Sequence, residues 1–304
     1  MTPATPHLDK LRSVLENDKL PDADKPRVEQ AVARHREWTG ALDAVVGTPQ
    51  ERITTMVALL NEYRLYIDVD LVFDSPHDFL YRQKGQLKLD NSVIEEFLPR
   101  LVTPDVLPEI AGHEVVVGPT TCFSSVYFST SLEAPVAGGG LEVRSKNQDF
   151  AIGKKLFLKA SHDAAFSNAV TKETHIGFVV CECKTNLDKT MFQEACATAH
   201  DVKAAVSGAR YFLLCEWLDM TPLSTAPTDI DEILLLRKAK RINSNVRKKY
   251  ATFAGRQANR AAYVKHLAAN PFRVEVFERF VGHIRGILRN DAPVESDVLA
   301  RGFF

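Results

Sequence analysis

The strongest constraint on this fold is a succession of three segments between residues 175 and 218. HIGFVVCECK (175–184) is apolar and β-branched enough for a strand, and ARYFLLCEW (209–217) reads the same way. Between them, LDKTMFQEACATAHDVKAAVSG (187–208) has Ala-rich helical spacing and a glycine just past its end. Strand, helix and strand in that order normally set the two strands parallel, with the helix across one face of the sheet. From about residue 113 the runs HEVVVG, CFSSVYFSTS and DFAIGKKLFLKA supply further strands. The expected fold is therefore α/β: a mixed central sheet flanked by helices, with helical N- and C-terminal parts.

The flanking helices carry their own signals. Thr48-Pro49-Gln50-Glu51 combines an N-cap threonine, a proline at the first helical position and a glutamate three residues on; Ile53, Val57, Leu60 and Arg64 follow at helical spacing. A second helix is expected over about 24–45, with Pro26 near its start where the missing N–H is harmless. Ser92-Val93-Ile94-Glu95 reads as another capping box, opening a helix that Pro99 and Pro104 must end. Gly138-Gly139-Gly140 marks a flexible loop, and after about 226 the chain returns to helix. The division that follows is a helical part over 1–110, an α/β core over 111–225 and a basic helical part over 226–304.

Net charge excludes little, because 38 Lys and Arg against 39 Asp and Glu leave −1. Its distribution says more. From Ile233 to Val274 there is no acid in 42 positions, while eleven Lys and Arg interleave with Tyr250, Phe253 and Tyr263. A merely solvated helix normally intersperses acids to limit self-repulsion, so the tract points to nucleic acid. Lys240, Arg241, Arg247, Lys248, Lys249, Arg256 and Arg260 are placed to hold phosphates. Gln257, Asn243, Asn245 and Asn259 are candidates for reading base edges. No apolar run approaches the ~20 residues of a membrane span and no secretory leader pattern is present, so a cytoplasmic protein, intracellular in a bacterium, is expected. The five cysteines lie in the middle of the chain, as reduced thiols would.

The chemistry concentrates in Glu182-Cys183-Lys184. Alternate residues of a strand share a face, so Glu182 and Lys184 project together while Cys181 and Cys183 turn the other way. Taken alone, such a pair is a surface ion pair at a strand end. Asp149, at the polar-to-apolar switch before Phe150-Ala151-Ile152, places a second carboxylate at the mouth of another strand. Two carboxylates and a backbone carbonyl form a hard oxygen site suited to Mg²⁺, and a neighbouring lysine can hold a water and stabilise developing negative charge. Asp163 competes as the first acid, but Ser161-His162-Asp163 reads as a loop and cannot itself converge as a hydrolytic triad. Cys181, Cys183, Cys196 and His200 lack zinc-knuckle spacing.

Asp149, then Glu182-Cys183-Lys184, then a helix and a strand resemble the core of the PD-(D/E)xK nucleases, with Gln148 where that family's name has proline. The resemblance implies that Asp149, Glu182 and the Cys183 carbonyl hold Mg²⁺ and that Lys184 positions water. It further implies a polar helix residue beside the site, for which Gln193 is the candidate over Glu194. Over about 110–280, including Gly118–Ser125, Glu182–Asn186 and Ala251–Gln257, the chain is similar to type II restriction endonucleases of the BbvCI kind, which read nearly palindromic sites related to CCTNAGC. The implied activity is Mg²⁺-dependent, sequence-specific cleavage of double-stranded DNA by a homodimer or by a heterodimer with a related subunit. A repair or junction-resolving nuclease and a non-catalytic DNA-binding protein are the alternatives.

Overall fold

The computed structural model describes residues 4–289 and 295–302. Its N-terminal third consists of α1 (Pro6–Leu15), α2 (Lys25–Asp43), α3 (Pro49–Tyr66), α4 (Asp78–Gln83) and α5 (Asn91–Phe97). α3 starts where its capping box dictates: Glu51 N donates to Thr48 Oγ1 at 3.4 Å, and Thr48 N donates to Glu51 Oε2 at 2.8 Å. The second expected box does not form. Asp90 caps α5 instead, leaving Ser92 and Glu95 inside the helix and free for other work. Glu96 is used at a distance: Oε2 accepts from the His7 and Leu8 amides at 2.9 and 3.3 Å. Thr5 offers α1 no side-chain cap, so a glutamate from α5 satisfies donors that α1 otherwise leaves open. Glu96 Oε1 lies 2.6 Å from His35 Nε2, which ties α2 to the same point.

The sheet has five strands in chain order: β1 (Val116–Phe128), β2 (Leu141–Ala160), β3 (Val170–Leu187), β4 (Arg210–Leu218) and β5 (Glu232–Lys240). β1, β2 and β3 pair antiparallel, whereas β3, β4 and β5 pair parallel, with α6 (Lys189–Ala205) as the crossover. This is the mixed sheet expected. HEVVVG and CFSSVYFSTS turn out to be one edge strand, interrupted where Pro119 has no N–H to give the ladder. Gly118 pairs with Ala151 and Thr120 with Gln148, so Asp149 and Phe150 stand opposite Pro119 alone, a two-against-one β-bulge. The three glycines form a packed turn rather than a flexible loop. Their φ values are +58°, +67° and +64°, and a Cβ on Gly138 would sit 2.7 Å from the Ala160 carbonyl.

β5 corrects the expectation that the chain returns directly to helix after about 226. EILLLRKAK pairs parallel with β4 before α7 (Ser244–Arg247), α8 (Phe253–Ala269), α9 (Val274–Arg289) and α10 (Glu295–Arg301) follow. One face of the sheet, with Phe150, Val179, Cys181, Cys183, Phe212 and Leu214, packs on the N-terminal helices and α9. The other, with Ala151, Val180, Tyr211 and Leu213, packs on Phe192, Ala195, Ala199 and Val202 of α6.

A buried ionic cluster ties these parts together. Glu216 of β4 receives Arg64 Nη2 of α3 at 3.1 Å and Arg237 Nε of β5 at 3.2 Å, while Arg64 Nη1 reaches Asp68 at 2.7 Å. Arg237 also donates to the Asn270 carbonyl at 2.8 Å and lies 4.0 Å from the Phe272 ring centroid. Burial pushes the Glu216 carboxyl up, and the two guanidiniums oppose that. Removing one member of such a cluster leaves its partners charged and unpaired, at a cost of about 3–5 kcal/mol. Glu216→Ala is therefore expected to lower unfolding free energy by about that amount in a denaturant titration. Lys238→Ala, which breaks only the exposed pair with Glu275, should stay within about 0.5 kcal/mol of wild type.

Candidate active site

The side chains of Glu182 and Lys184 meet on one face of β3, with Lys184 Nζ 2.7 Å from Glu182 Oε1. Cys181 and Cys183 are fully buried on the opposite face. The parallel register sets Tyr211 of β4 against Val180, and its hydroxyl donates to Glu182 Oε2 at 2.6 Å. Both carboxylate oxygens are thus oriented. Lys184 is partly buried, which works against its charge, but the Glu182 hydrogen bond and nearby acids prevail and hold its pKa above the ordinary lysine value.

Asp149 joins this pair through the end of a ladder. The pairing of β2 with β3 stops at Phe150 and Cys181, and one residue further Asp149 Oδ2 accepts the Cys183 amide at 2.9 Å. The carboxylate replaces a strand partner. Asp149 lies inside the long β2, not at its mouth, and the 33-residue interval to Glu182 is the length of the β2–β3 hairpin. Burial raises the Asp149 pKa most; the Cys183 amide and Lys88 pull it back, and Glu182 adds to the rise. Asp163 is excluded by position. It sits in the exposed turn at the hairpin tip, accepting from the Ala165 and Ser167 amides and pairing with Ser161 Oγ.

α5 closes the site from the N-terminal side. Asn91 Nδ2 donates to the Cys183 carbonyl, and Lys88 Nζ lies 3.9 Å from Asp149 and 4.0 Å from Glu95. Lys88 holds φ +52°, in the left-handed region that side chains disfavour; such strain recurs at functional sites. Glu95 is buried, its Oε1 has no hydrogen-bond partner, and its pKa is pushed up to about 7 by burial, then by Asp149, against Lys88. Sequence reading missed Lys88, Asn91, Glu95 and Tyr211. Glu95 has the spacing of a capping residue, and Tyr211 is an unremarkable aromatic until the β3–β4 register is known.

Among the described residues no group of three or more His, Cys, Asp or Glu is arranged to hold a metal. The available donors are two carboxylates and the Cys183 carbonyl, whose second lone pair is not used by Asn91. All are hard oxygens, and such a set suits Mg²⁺ with several waters retained. Zinc is excluded by the fold, since Cys181 and Cys183 face away from α6, where Cys196 and His200 reside; His200 pairs with Asp229 at 2.8 Å.

Gln193 and Glu194 are both exposed on α6, and Glu194 adds a smaller charge effect at Lys184 after Glu182 and Asp149. The basic tract divides sharply. Arg256 is a correction: it is fully buried and donates to the Phe73, Ser75 and Tyr250 carbonyls and to Asp78, so it holds α8 to residues 73–78 and cannot reach a phosphate. Arg260 pairs with Asp74 at 2.8 Å and Arg241 with Asp219 at 2.7 Å, while Arg247 is half-buried. Lys240, Lys248, Lys249 and Gln257 are exposed.

A mixed sheet carries an acid-x-lysine pair on β3, with an aspartate from the antiparallel neighbour bonded to the residue between them. Residues 86–304, well over half of the chain, match the family described as Bpu10I restriction endonuclease. The chain belongs to that family and is a type II restriction nuclease. The fold resembles the solved structure of the native BbvCI A2B2 tetramer at low resolution, with TM-score 0.58 and 18% identity over 94% of this chain and 98% of that one. No curated protein sequence matches. No helix among the described residues is long and apolar enough to cross a membrane.

The raised Glu95 carboxyl has a consequence for stability. Because folding lifts it from 4.5 to about 7, the proton-bound form favours the fold: the contribution is complete below the unfolded value and is lost as pH rises through about 7. In metal-free protein, thermal melting is expected to fall over that window, by on the order of 3 kcal/mol of stability. Glu95→Gln should flatten the fall. An unchanged pH slope in that variant would contradict the assignment.

Proposed function

We propose that the chain hydrolyses phosphodiester bonds of double-stranded DNA at a specific sequence, in the bacterial cytoplasm, using Mg²⁺ held by Asp149, Glu182 and the Cys183 carbonyl. The observation that carries this reading is that Asp149, from the bulge of β2, accepts the Cys183 amide between Glu182 and Lys184, which pair with each other near the end of β3. When bound, the metal supplies positive charge against the phosphate oxygens and acidifies a water. The remaining work belongs to side chains. Lys184 stays an ammonium, positioning the attacking water and stabilising negative charge that develops on the phosphate. Tyr211 fixes Glu182, and Asn91 fixes the Cys183 carbonyl. Water oxygen bonds to phosphorus in line as the bond to the 3′ oxygen breaks. The attacking water gives up its proton to solvent, the 3′ oxygen takes one up from solvent, and a 5′-phosphate is left. Gln193 is assigned the polar helix position beside the site, on the exposed face of α6 next to Glu194.

DNA contact is assigned to the basic C-terminal part, through Lys240, Lys248, Lys249 and Gln257 at its surface and Arg241, Arg247 and Arg260 in part. One Asp149/Glu182/Lys184 set cuts one strand at a time, so a coordinated double-strand break requires two chains. A homodimer suits a palindromic site, and a heterodimer with a related subunit suits an asymmetric one; the A2B2 composition of the BbvCI relative supports an assembly of either kind.

The test is a plasmid digest with Mg²⁺ and with EDTA. Discrete fragments that require Mg²⁺ are expected; an unsorted smear would favour a repair-type nuclease, and binding without cleavage a DNA-binding protein. Asp149→Ala, Glu182→Gln and Lys184→Ala should each nearly abolish cleavage while DNA binding survives, because phosphate contacts elsewhere supply most of the affinity. Normal cleavage by Glu182→Gln would remove the site assignment. Replacing Lys248 and Lys249 by alanine should flatten the salt dependence of binding by about 0.9 in log–log slope for each true phosphate contact. Arg256→Ala should instead lower the melting temperature, since it removes a buried hub.

A further inference from the structure

Beside the catalytic residues lies a cleft of ≈ 540 Å³, with Lys184 and Asn91 at one edge. Its volume equals a cube of about 8 Å edge, within the range of small-molecule sites. A duplex, whose major groove alone is about 12 Å wide, does not fit inside. Three features describe what does. First, Arg241 and Arg247 both line the cleft and share a single carboxylate, Asp219, at 2.7 and 4.0 Å. Burial, then the charge of Arg241, holds the Arg247 pKa below its ordinary value. Lys84 and Lys88 add further positive charge, whereas the lining acids Asp68 and Asp90 are already engaged, by Arg64 and by the Asn91 amide. An anion at the two arginines relieves their repulsion. Second, the wall contains a stacked pair, Trp217 and His266, with ring centroids 5.1 Å apart at 24°, and the Arg237 guanidinium lies 4.8 Å from the Trp217 ring centroid. Third, His266 Nε2 and Asn91 Oδ1 have no hydrogen-bond partner within the protein, and burial, then the charge of Arg237, lowers the His266 pKa. Both atoms are covered in the unliganded cleft, so the edge of a base meets them only once their side chains turn.

We infer that this cleft binds a single nucleotide, its phosphate on Arg241 and Arg247 and its base against Trp217 and His266. Two sources share that chemistry: a free nucleotide, or one displaced from the stack of a DNA duplex. The second source rests on the nuclease reading above, whereas the cleft itself does not. Displacement is least costly for an unpaired base, and base–aromatic stacking tolerates any base.

Trp217 is one of only two tryptophans, so in Trp38→Phe its emission reports the cleft directly. Should that variant fail to fold, the indole N–H resonance of Trp217 in the wild type gives the same readout. Metal-free full-length protein is titrated with deoxyadenosine 5′-monophosphate, with a duplex carrying one unpaired adenine and with the fully paired duplex, DNA binding being followed by anisotropy. Saturable quenching by the monophosphate, by the unpaired-adenine duplex or by both is expected, and identifies the source. Replacing both arginines by glutamine should weaken it about tenfold, the loss of a charge-assisted contact. Lys265→Gln, a change on exposed α8 outside the cleft, should leave it unchanged. Absence of quenching by every ligand, or equal weakening by Lys265→Gln, overturns the inference. Because nothing here depends on cleavage, an inactive digest would sink the nuclease reading and leave the monophosphate result standing.

Discussion

The structure turns on one unmade strand pair. Pro119 cannot donate to its neighbour, β2 bulges opposite it, and the β2–β3 ladder stops one residue short of Asp149. In a regular hairpin the Cys183 amide would meet a carbonyl. Here it meets a carboxylate, which brings a second acid to the strand that already carries Glu182 and Lys184. Bulges commonly re-aim side chains at active sites, and this one sets Asp149 in the candidate site.

The electrostatics follow from that placement. Asp149 is half-buried and Glu95 buried, and burial raises the pKa of each; Glu182 adds to the rise at Asp149, and Asp149 to that at Glu95. Lys88 and Lys184 offset only part of this, and Lys184 is already committed to Glu182. A region rich in carboxylates with incomplete compensation favours a bound cation. α5 is the element that holds this imbalance in place. One side of it presents Asn91 and Glu95 to the site, and Glu96 and Ser92 are locked to His7 and His35 of the first two helices. The N-terminal helices are thus mechanically continuous with the chemistry, and the Arg64–Glu216–Arg237 cluster joins them to β4 and β5 as well.

Local signals carried much of this. The β3–α6–β4 unit, the shared face of Glu182 and Lys184, and the Thr48 box all follow from spacing and periodicity. What eluded the sequence is long-range. Glu95 looks like a capping residue until Asp90 is seen to hold that position, and Tyr211 acquires a role only through a parallel register. Arg256 has the composition of a phosphate contact but is consumed by carbonyls of residues 73–77 and Tyr250. A charge count along the chain does not distinguish a guanidinium facing solvent from one that closes a loop. β5 was overlooked because its basic end, Arg237-Lys238-Ala239-Lys240, hides an apolar start.

The central claim is that the bulge brings Asp149 and Glu182 together as ligands of one cation. Crystals soaked with Mn²⁺, an anomalously scattering stand-in for Mg²⁺ in oxygen sites, test it directly. The account predicts a peak bounded by the Asp149 and Glu182 carboxylates and the Cys183 carbonyl, lost in Glu182→Gln. A peak elsewhere, or one that persists unchanged in that variant, would contradict it.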